Sequence, residues 1–366
     1  MRICLEATSL RGLRSGVGHT TSELHRALVA SDPTIEVTLL AMSAGRDASL
    51  RAAAQLPRTT LRGGHALVRA ASWLWWRTEL FPADRFCGRA DVFHGPNYLL
   101  PPLRKPAGVV TVYDLSFDRL PQMCSPGVLR LGGVVGTTMR RAQRIITASA
   151  FTASEIADLY PDVADRVRVV PVGVREVFFA PRPAPKAAEP YLAFLGNLEL
   201  RKGIDVLLDA FAAVHEQRPD ARLVLIGQPS VGWEDVSAKH ARLLGTAATA
   251  VGYPDDATVA STLAGARALV YPSRYEGFGM PPLEAMACGT RVIASSAASL
   301  PEVCGPHATY IDAGNADALA VAMIDALTHD ADPDATKAAR EHARSFTWER
   351  TAAETIAVYK EAMEAR

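Results

Sequence analysis

The chain has no charge of one sign to spare. Across 366 residues, 39 Lys and Arg stand against 39 Asp and Glu, and the pI lies near 7.1. No whole-chain electrostatic case for nucleic acid follows from that balance. Cysteine is scarce: Cys4, Cys87, Cys124, Cys288 and Cys304 are odd in number and form no CxxC pair. This argues against a disulfide scaffold and against structural zinc, and the compartment expected is a reducing one. Long apolar runs are missing too, none approaching the roughly 18 residues of a membrane span. Met1-Arg-Ile-Cys-Leu-Glu opens as a strand with charges at both ends rather than as a signal peptide. A soluble cytoplasmic protein is expected.

What is present suits two α/β domains. The length is comfortable for two cores, with 49% apolar residues to fill them. Apolar strand-like runs occur at Ile3-Cys-Leu, Val37-Thr-Leu-Leu, Val92-Phe-His, Val109-Val-Thr-Val, Ile145-Ile-Thr and Val169-Val-Pro, with helical stretches such as 21–30 between them. The proline-rich run 181–190 has no apolar periodicity and reads as a linker. The alternation then restarts at Tyr191-Leu-Ala-Phe-Leu and continues through a helix over 204–217 and the strand Arg222-Leu-Val-Leu-Ile. The expected division is 1–180, linker 181–190, 191–346, and a last helix within 347–366. Charge is divided unevenly, with 22 Lys and Arg against 15 Asp and Glu up to Ala180, and 17 against 24 thereafter. A basic first half facing an anionic acceptor or membrane headgroups is one reading; an ordinary two-domain charge split is the other.

The most informative stretch is Tyr271-Pro-Ser-Arg-Tyr-Glu-Gly-Phe-Gly-Met-Pro-Pro-Leu-Glu-Ala-Met-Ala-Cys-Gly-Thr290. A buried strand precedes it, another follows it, and the helix between opens at Pro281-Pro282 and stops at Gly289. This βαβ pattern places a glycine-bearing loop at the carboxyl end of a strand, where open α/β sheets bind ligands. The backbone N–H groups of Phe278, Gly279 and Met280 face a phosphate or a sugar hydroxyl there, with Pro281 setting the helix start. Glu276 can accept from sugar hydroxyls, and Glu284, about one turn into the helix, from the two ribose hydroxyls. Arg201 and Lys202 follow a strand and a tight turn at Gly196, where two cations can hold a departing diphosphate.

With Pro272-Ser273 before it and Ala285-Met286-Ala287-Cys288-Gly289 after it, the Glu276/Glu284 pair resembles the family 4 glycosyltransferases of the GT-B fold, of the bacterial mannosyl- or glucosyltransferase kind. Further motifs follow in the family's order along nearly the whole chain. Ser15-Gly-Val-Gly-His-Thr-Thr21 resembles the glycine-rich first loop. Phe93-His-Gly-Pro-Asn-Tyr98, Val112-Tyr-Asp-Leu-Ser116 and Ile146-Thr-Ala-Ser149 resemble first-domain motifs. Gly196-Asn-Leu-Glu-Leu-Arg-Lys-Gly203 resembles the phosphate-binding turn and Val251-Gly-Tyr-Pro-Asp-Asp256 the base-binding turn, with Tyr253 near the base. Gly16 and Val17 then belong to a loop that lets the backbone approach the donor; it is not a GxGxxG fingerprint, since residue 21 is Thr.

The resemblance implies two Rossmann-like domains facing across a cleft, an acceptor-binding first domain, a nucleotide-sugar-binding second domain, and a last helix over 347–365 returning to the first. It implies a retaining transfer from a nucleotide-sugar, UDP- or GDP-linked, to an acceptor hydroxyl, with no cofactor and no metal. Tyr113-Asp114 stands where many relatives carry His-Asp. Tyr113 donates a hydrogen bond but does not shuttle protons near neutral pH; Asp114 orients neighbours or acts as a base. His94 is the other candidate for the acceptor side, with a core or capping histidine as the plainer reading. The aromatic, basic segment Leu67–Phe81 reads as core or as an interfacial surface. The alternatives are a nucleotide-sugar-binding protein without transfer, and a GT-B sugar-nucleotide epimerase. Donor base and sugar, acceptor, linkage and oligomeric state are not legible.

Overall fold

The computed structural model describes residues 1–11, 16–41, 48–63, 75, 81–180 and 189–366. Ser15, most of Leu67–Phe81 and most of the run 181–190 lie outside the described residues. The chain forms two compact units. The first comprises 1–115, 130–173 and 347–366, the second 116–129 and 174–346. The chain thus changes unit at Gly173/Val174, ahead of the proline-rich run rather than within it, and again at Phe346/Thr347.

The first unit is built on seven strands: β1 (Arg2–Glu6), β2 (Glu36–Ala41), β3 (Thr59–Gly63), β4 (Val92–Gly95), β5 (Ala107–Thr111), β6 (Arg144–Thr147) and β7 (Val167–Val169). They pair in parallel in the order β3-β2-β1-β4-β5-β6-β7. Central β4 and β5 are buried at every position, the condition of a parallel strand covered on both faces. β3 was not anticipated: it is an edge strand whose burial alternates, so Thr59-Thr-Leu-Arg-Gly carries too few apolar residues to stand out. Helix α1 (Gly16–Ser31) starts at Gly16, so Gly16 and Val17 form its first turn rather than a loop before it. The C-terminal helix Trp348–Glu364 is N-capped by Thr347, whose hydroxyl accepts from Arg350 N. It packs against α1, β4, β5 and β6, which accounts for its buried stripe of Thr351, Thr355, Val358, Tyr359 and Ala362.

The second unit has six parallel strands, β8 (Tyr191–Leu195), β9 (Arg222–Ile226), β10 (Ala248–Gly252), β11 (Leu269–Tyr271), β12 (Val292–Ser295) and β13 (Thr309–Ile311), in the order β10-β9-β8-β11-β12-β13. The order reverses between β8 and β11, so the crevice at the carboxyl ends of those two strands is the topological switch point. Three helices start beside it: α2 (Ile204–Gln217) after β8, α3 (Asp256–Gly265) after β10 and α4 (Met280–Ala287) after β11.

Candidate functional site

At the carboxyl end of β8 the chain turns through Gly196, at φ 150°, into a single 3-10 turn, Leu200–Lys202, and then α2. Gly203 closes that turn at φ 72°, and a Cβ there would lie 2.2 Å from the Pro272 carbonyl oxygen. Only glycine lets the turn sit this close to the loop after β11. The close approach delivers Lys202 to Glu276: Nζ donates to Oε1 at 2.6 Å and to Oε2 at 2.7 Å, and to the Tyr271 hydroxyl at 2.9 Å. An ammonium has three donors, and all three are used here. Both residues are largely buried. Burial works to raise the Glu276 carboxyl, but the charges of Lys202 and Arg201 and the hydrogen bonds to Lys202 outweigh it and hold the group below its ordinary value. Glu276 is therefore a buried carboxylate.

Arg201 is placed differently. Its guanidinium donates to Glu199 Oε1 at 2.7 Å and to the Tyr275 carbonyl at 3.0 Å, while Glu276 Oε2 lies 3.9 Å away. Glu199 also accepts from Ser230 Oγ at 3.0 Å. Arg201 thus ties the turn after β8 to the loop after β11. That loop is held from its other side by Ser299, whose hydroxyl donates to the carbonyls of Glu276 and Phe278 at 2.9 and 2.8 Å.

Helix α4 opens at Gly279, φ 110°, with no side-chain cap and with proline in its first turn. Its first N–H groups lack intrahelical partners by construction. Glu284, 4% exposed, accepts at Oε1 from Arg175 Nη2 at 3.1 Å, and Arg175 Nη1 donates to Asp256 at 2.6 Å. Burial raises the Glu284 carboxyl above its ordinary value; the charge and hydrogen bond of Arg175 pull it back part of the way, and Asp256 adds to the rise. Tyr253, just past β10, is 46% exposed. Burial of the phenol, then the charges of Glu284, Glu199 and Glu276, push it up to about 12. Its hydroxyl end therefore senses all three carboxylates while much of the side chain stays open to a ligand. The second unit so brings together Gly196, Arg201, Lys202, Tyr253, Glu276, Phe278, Gly279, Met280, Pro281 and Glu284.

The first-unit candidates differ in burial and partners. His94 is fully buried, with Nε2 2.8 Å from Thr111 Oγ1 and Nδ1 2.7 Å from the Tyr359 hydroxyl. Burial lowers its pKa to about 3. The residue is a neutral, fully buried histidine linking β4 to β5 and to the C-terminal helix, in keeping with the plainer of its two readings. Tyr113 and Thr20 share with it the wall of a small cavity of about 20 Å³. Burial raises the Tyr113 phenol well above its ordinary value, against a hydrogen bond to Thr20, so Tyr113 stays protonated. The Asp114 N–H donates to the Tyr98 hydroxyl at 3.0 Å, placing this residue at the carboxyl end of β5. Gly16 and Val17 accept at their carbonyls from Thr20 and Thr21 Oγ1, as members of a helix.

Two family models match the chain: glycosyltransferase family 4 over residues 14–177, and glycosyl transferases group 1 over 178–346. The O-antigen chain mannosyltransferase B of Escherichia coli is 33% identical over 284 residues, covering 74% of this chain and 74% of that protein. The chain belongs to the family 4 glycosyltransferases. An MMP alpha-(1->4)-mannosyltransferase of Mycolicibacterium hassiacum is 31% identical over 250 residues, 65% of this chain and 59% of that protein. Among solved structures, sucrose-phosphate synthase from Thermosynechococcus elongatus superposes with a TM-score of 0.74 at 22% identity over 100% of both chains. Anabaena HepE in complex with UDP and glucose gives 0.71 at 16% identity, covering 98% of this chain and 99% of that one. The fold is GT-B.

The contacts also draw into the candidate site residues that the motifs did not announce. Arg175 stands in Val172-Gly-Val-Arg-Glu-Val-Phe-Phe, where a charged residue among apolar neighbours was the one available signal. Glu199 and Tyr271 lie inside quoted motifs, yet their partners are distant in sequence. Asp256 reads as a helix-start residue, and only its contact with Arg175 draws it into the site; neighbouring Asp255 is the N-cap, accepting from Thr258 N at 2.8 Å. Among the described residues no group of three or more His, Cys, Asp or Glu is placed to hold a metal ion. None of the helices described is long and apolar enough to cross a membrane.

Proposed function

We propose that this glycosyltransferase binds the diphosphate and sugar of a UDP- or GDP-linked donor at the carboxyl ends of β8 and β11, and transfers the sugar to an acceptor hydroxyl with retention and without a metal ion. The observation that carries the proposal is the buried Lys202–Glu276 pair beside the uncapped start of α4. Without donor, the three Lys202 donors are taken by Glu276 and Tyr271. A diphosphate entering the site draws at least one of them away, and the same exchange releases a Glu276 oxygen for the sugar hydroxyls. One bond rearrangement thus arms both groups. Charge grows on the diphosphate as the bond to the anomeric carbon breaks, so the cation acts mainly in the transition state. The acceptor oxygen bonds to the anomeric carbon on the face the diphosphate leaves, and its proton passes to a departing phosphate oxygen. Glu276 orients the sugar and forms no covalent bond. Glu284 accepts from the ribose hydroxyls, and the open side of Tyr253 covers the base.

The UDP bound to HepE and the two mannosyltransferase relatives support a nucleotide-sugar donor of this kind. The first unit takes the acceptor, with Asp114 as its candidate contact and Tyr113 as a donor only. A peripheral contact with an anionic surface is supported by a hollow of about 630 Å³ at the amino ends of β1, β4 and β5. Arg2, Arg85, Arg89, Arg104 and Lys105 line it together with a single carboxylate, Asp84.

The test is a calorimetric panel of UDP, GDP, ADP and dTDP with their sugar conjugates, run with and without EDTA and followed by donor hydrolysis. A selective, chelator-insensitive response with slow release of free sugar is expected. Binding of one conjugate without hydrolysis or transfer would leave a non-catalytic binding protein, and recovery of an intact donor with altered stereochemistry would identify an epimerase.

A further inference from the structure

The buried cation between Glu284 and Asp256 has so far been given a place in the site but no role in it. Arg175 lies just past the point where the chain enters the second unit, at the head of the 3-10 turn Glu176–Phe178. This turn contacts both α3 and α4. Its anchoring is extensive: Phe178 is 1% exposed, the Arg175 guanidinium sits 4.9 Å from the Phe178 ring centroid, and the Phe179 carbonyl accepts from Arg340. The Arg175 side chain is 11% exposed. Its fork spans two carboxylates from two helices, Asp256 at the start of α3 and Glu284 in α4. The bond to Glu284 goes to Oε1 alone, and among the described residues Oε2 accepts no hydrogen bond.

We propose that Arg175 is a positioning residue for nucleotide recognition: held by Asp256, it fixes the Glu284 carboxylate so that Oε2 is presented to the ribose. The inference rests on the reading of Glu284 as the ribose acceptor. The physical need is clear. A glutamate buried in the first turns of a helix, without a cation beside it, either takes up a proton or turns toward other donors. A protonated carboxyl loses half its accepting capacity and no longer matches two hydroxyls. Arg175 supplies the charge that keeps Glu284 ionised, and its planar fork fixes the direction of approach in a way a lysine ammonium would not. Asp256 prevents the guanidinium from closing over both Glu284 oxygens. Among the described residues, the further titratable group facing Glu284 is Tyr253, which stays protonated through the neutral range.

The experiment measures binding of UDP and GDP, and of their 2′,3′-dideoxy forms, to wild type, Arg175→Met, Arg175→Lys, Asp256→Asn and Glu284→Gln. Wild type prefers the ribose form. In Arg175→Met that preference falls by a factor of about ten or more, since Glu284 is left without its cation, while affinity for the dideoxy form is unchanged. Ribose-form affinity in this variant also declines with acid from a higher pH than in wild type, because Glu284 has lost its counter-charge. Arg175→Lys restores the pH profile more fully than the affinity. Asp256→Asn keeps the cation and loosens it, giving a two- to fivefold loss confined to the ribose form, and it serves if Arg175→Met does not fold. Undiminished ribose preference in both Arg175→Met and Asp256→Asn overturns the inference. No ribose preference in wild type, or an intact one in Glu284→Gln, overturns the ribose reading itself and the inference with it.

Discussion

Replacing Lys202 by Met tests the pair on which the proposed donor site rests, because methionine keeps most of the side chain's length and removes the charge. The ammonium lies 2.6 and 2.7 Å from the two Glu276 oxygens. At an effective dielectric of about 20, two unit charges at that distance attract by about 6 kcal/mol. The desolvation of Lys202 is recovered on its removal, so the net cost is smaller, and buried pairs broken from one side lose about 3–5 kcal/mol. Arg201, 3.9 Å from Glu276 Oε2, retains part of the compensation and places the expectation near 3 kcal/mol. The second unit's transition should then fall by roughly 6–12 °C. The sign with pH follows from Glu276. Its carboxyl is held low in wild type, so the stability it contributes is present above the unfolded carboxyl value and is lost as pH falls through the folded one. Without Lys202, burial raises the same group, and the variant's penalty exists only where Glu276 is ionised. The gap between wild type and Lys202→Met is therefore widest near neutrality and narrows toward acid. The assay is thermal unfolding by calorimetry from pH 7.5 to 4, with Lys202→Met/Glu276→Gln as the fourth corner of a cycle. The double variant should regain most of the stability and none of the donor turnover. A single variant as stable as wild type at pH 7, or a gap that grows toward acid, would refute the reasoning.

Four further outcomes are expected. Glu284→Gln should weaken nucleoside diphosphate binding about tenfold with little change in melting temperature, since an amide keeps the shape but loses the charge; titration calorimetry checks it. Gly203→Ala should cost about 2–3 kcal/mol, because φ is 72° and the added Cβ meets the Pro272 carbonyl; denaturant unfolding measures it, and an unchanged midpoint would show that the turn relaxes freely. His94 and His25 are lowered by burial to about 3 and about 4. Both stay neutral in the folded chain and take up protons on unfolding, so stability should fall as pH drops from about 6.5 toward those values. His94→Gln should make that decline shallower at a cost of about 1–2 kcal/mol near pH 7, with donor binding unaffected; melting curves across pH 4–7.5 read both effects.

Much of the architecture was legible because parallel strands buried on both faces write themselves as apolar runs. β1, β2, β4, β5 and β6 lie where such runs occur, and the helix over 204–217 has the observed bounds. β3, β10 and β13 escaped notice, since their exposed positions dilute the run: three of the five residues of β10 are exposed. The spacing of Glu276 and Glu284 around a helix start singled out the loop that the structure places against Lys202.

The sequence by itself determined the class of protein, the order of its motifs and which loops end in carboxylates, because local spacing suffices to place a side chain on a loop or on a helix turn. Tertiary structure alone decided which charges meet. Lys202 finds Glu276 across 74 positions of chain and Arg175 finds Glu284 across 109, through close backbone approach at Gly203 and the packing of a short turn against two helices. It also separated residues that looked alike in sequence: Arg201 and Lys202 are neighbours, yet one braces a loop and the other faces the Glu276 carboxylate. His94, which reads equally well as catalyst or core, is buried against the C-terminal helix, a contact 265 residues away. Burial and long-range pairing depend on the whole fold, and no local pattern encodes them.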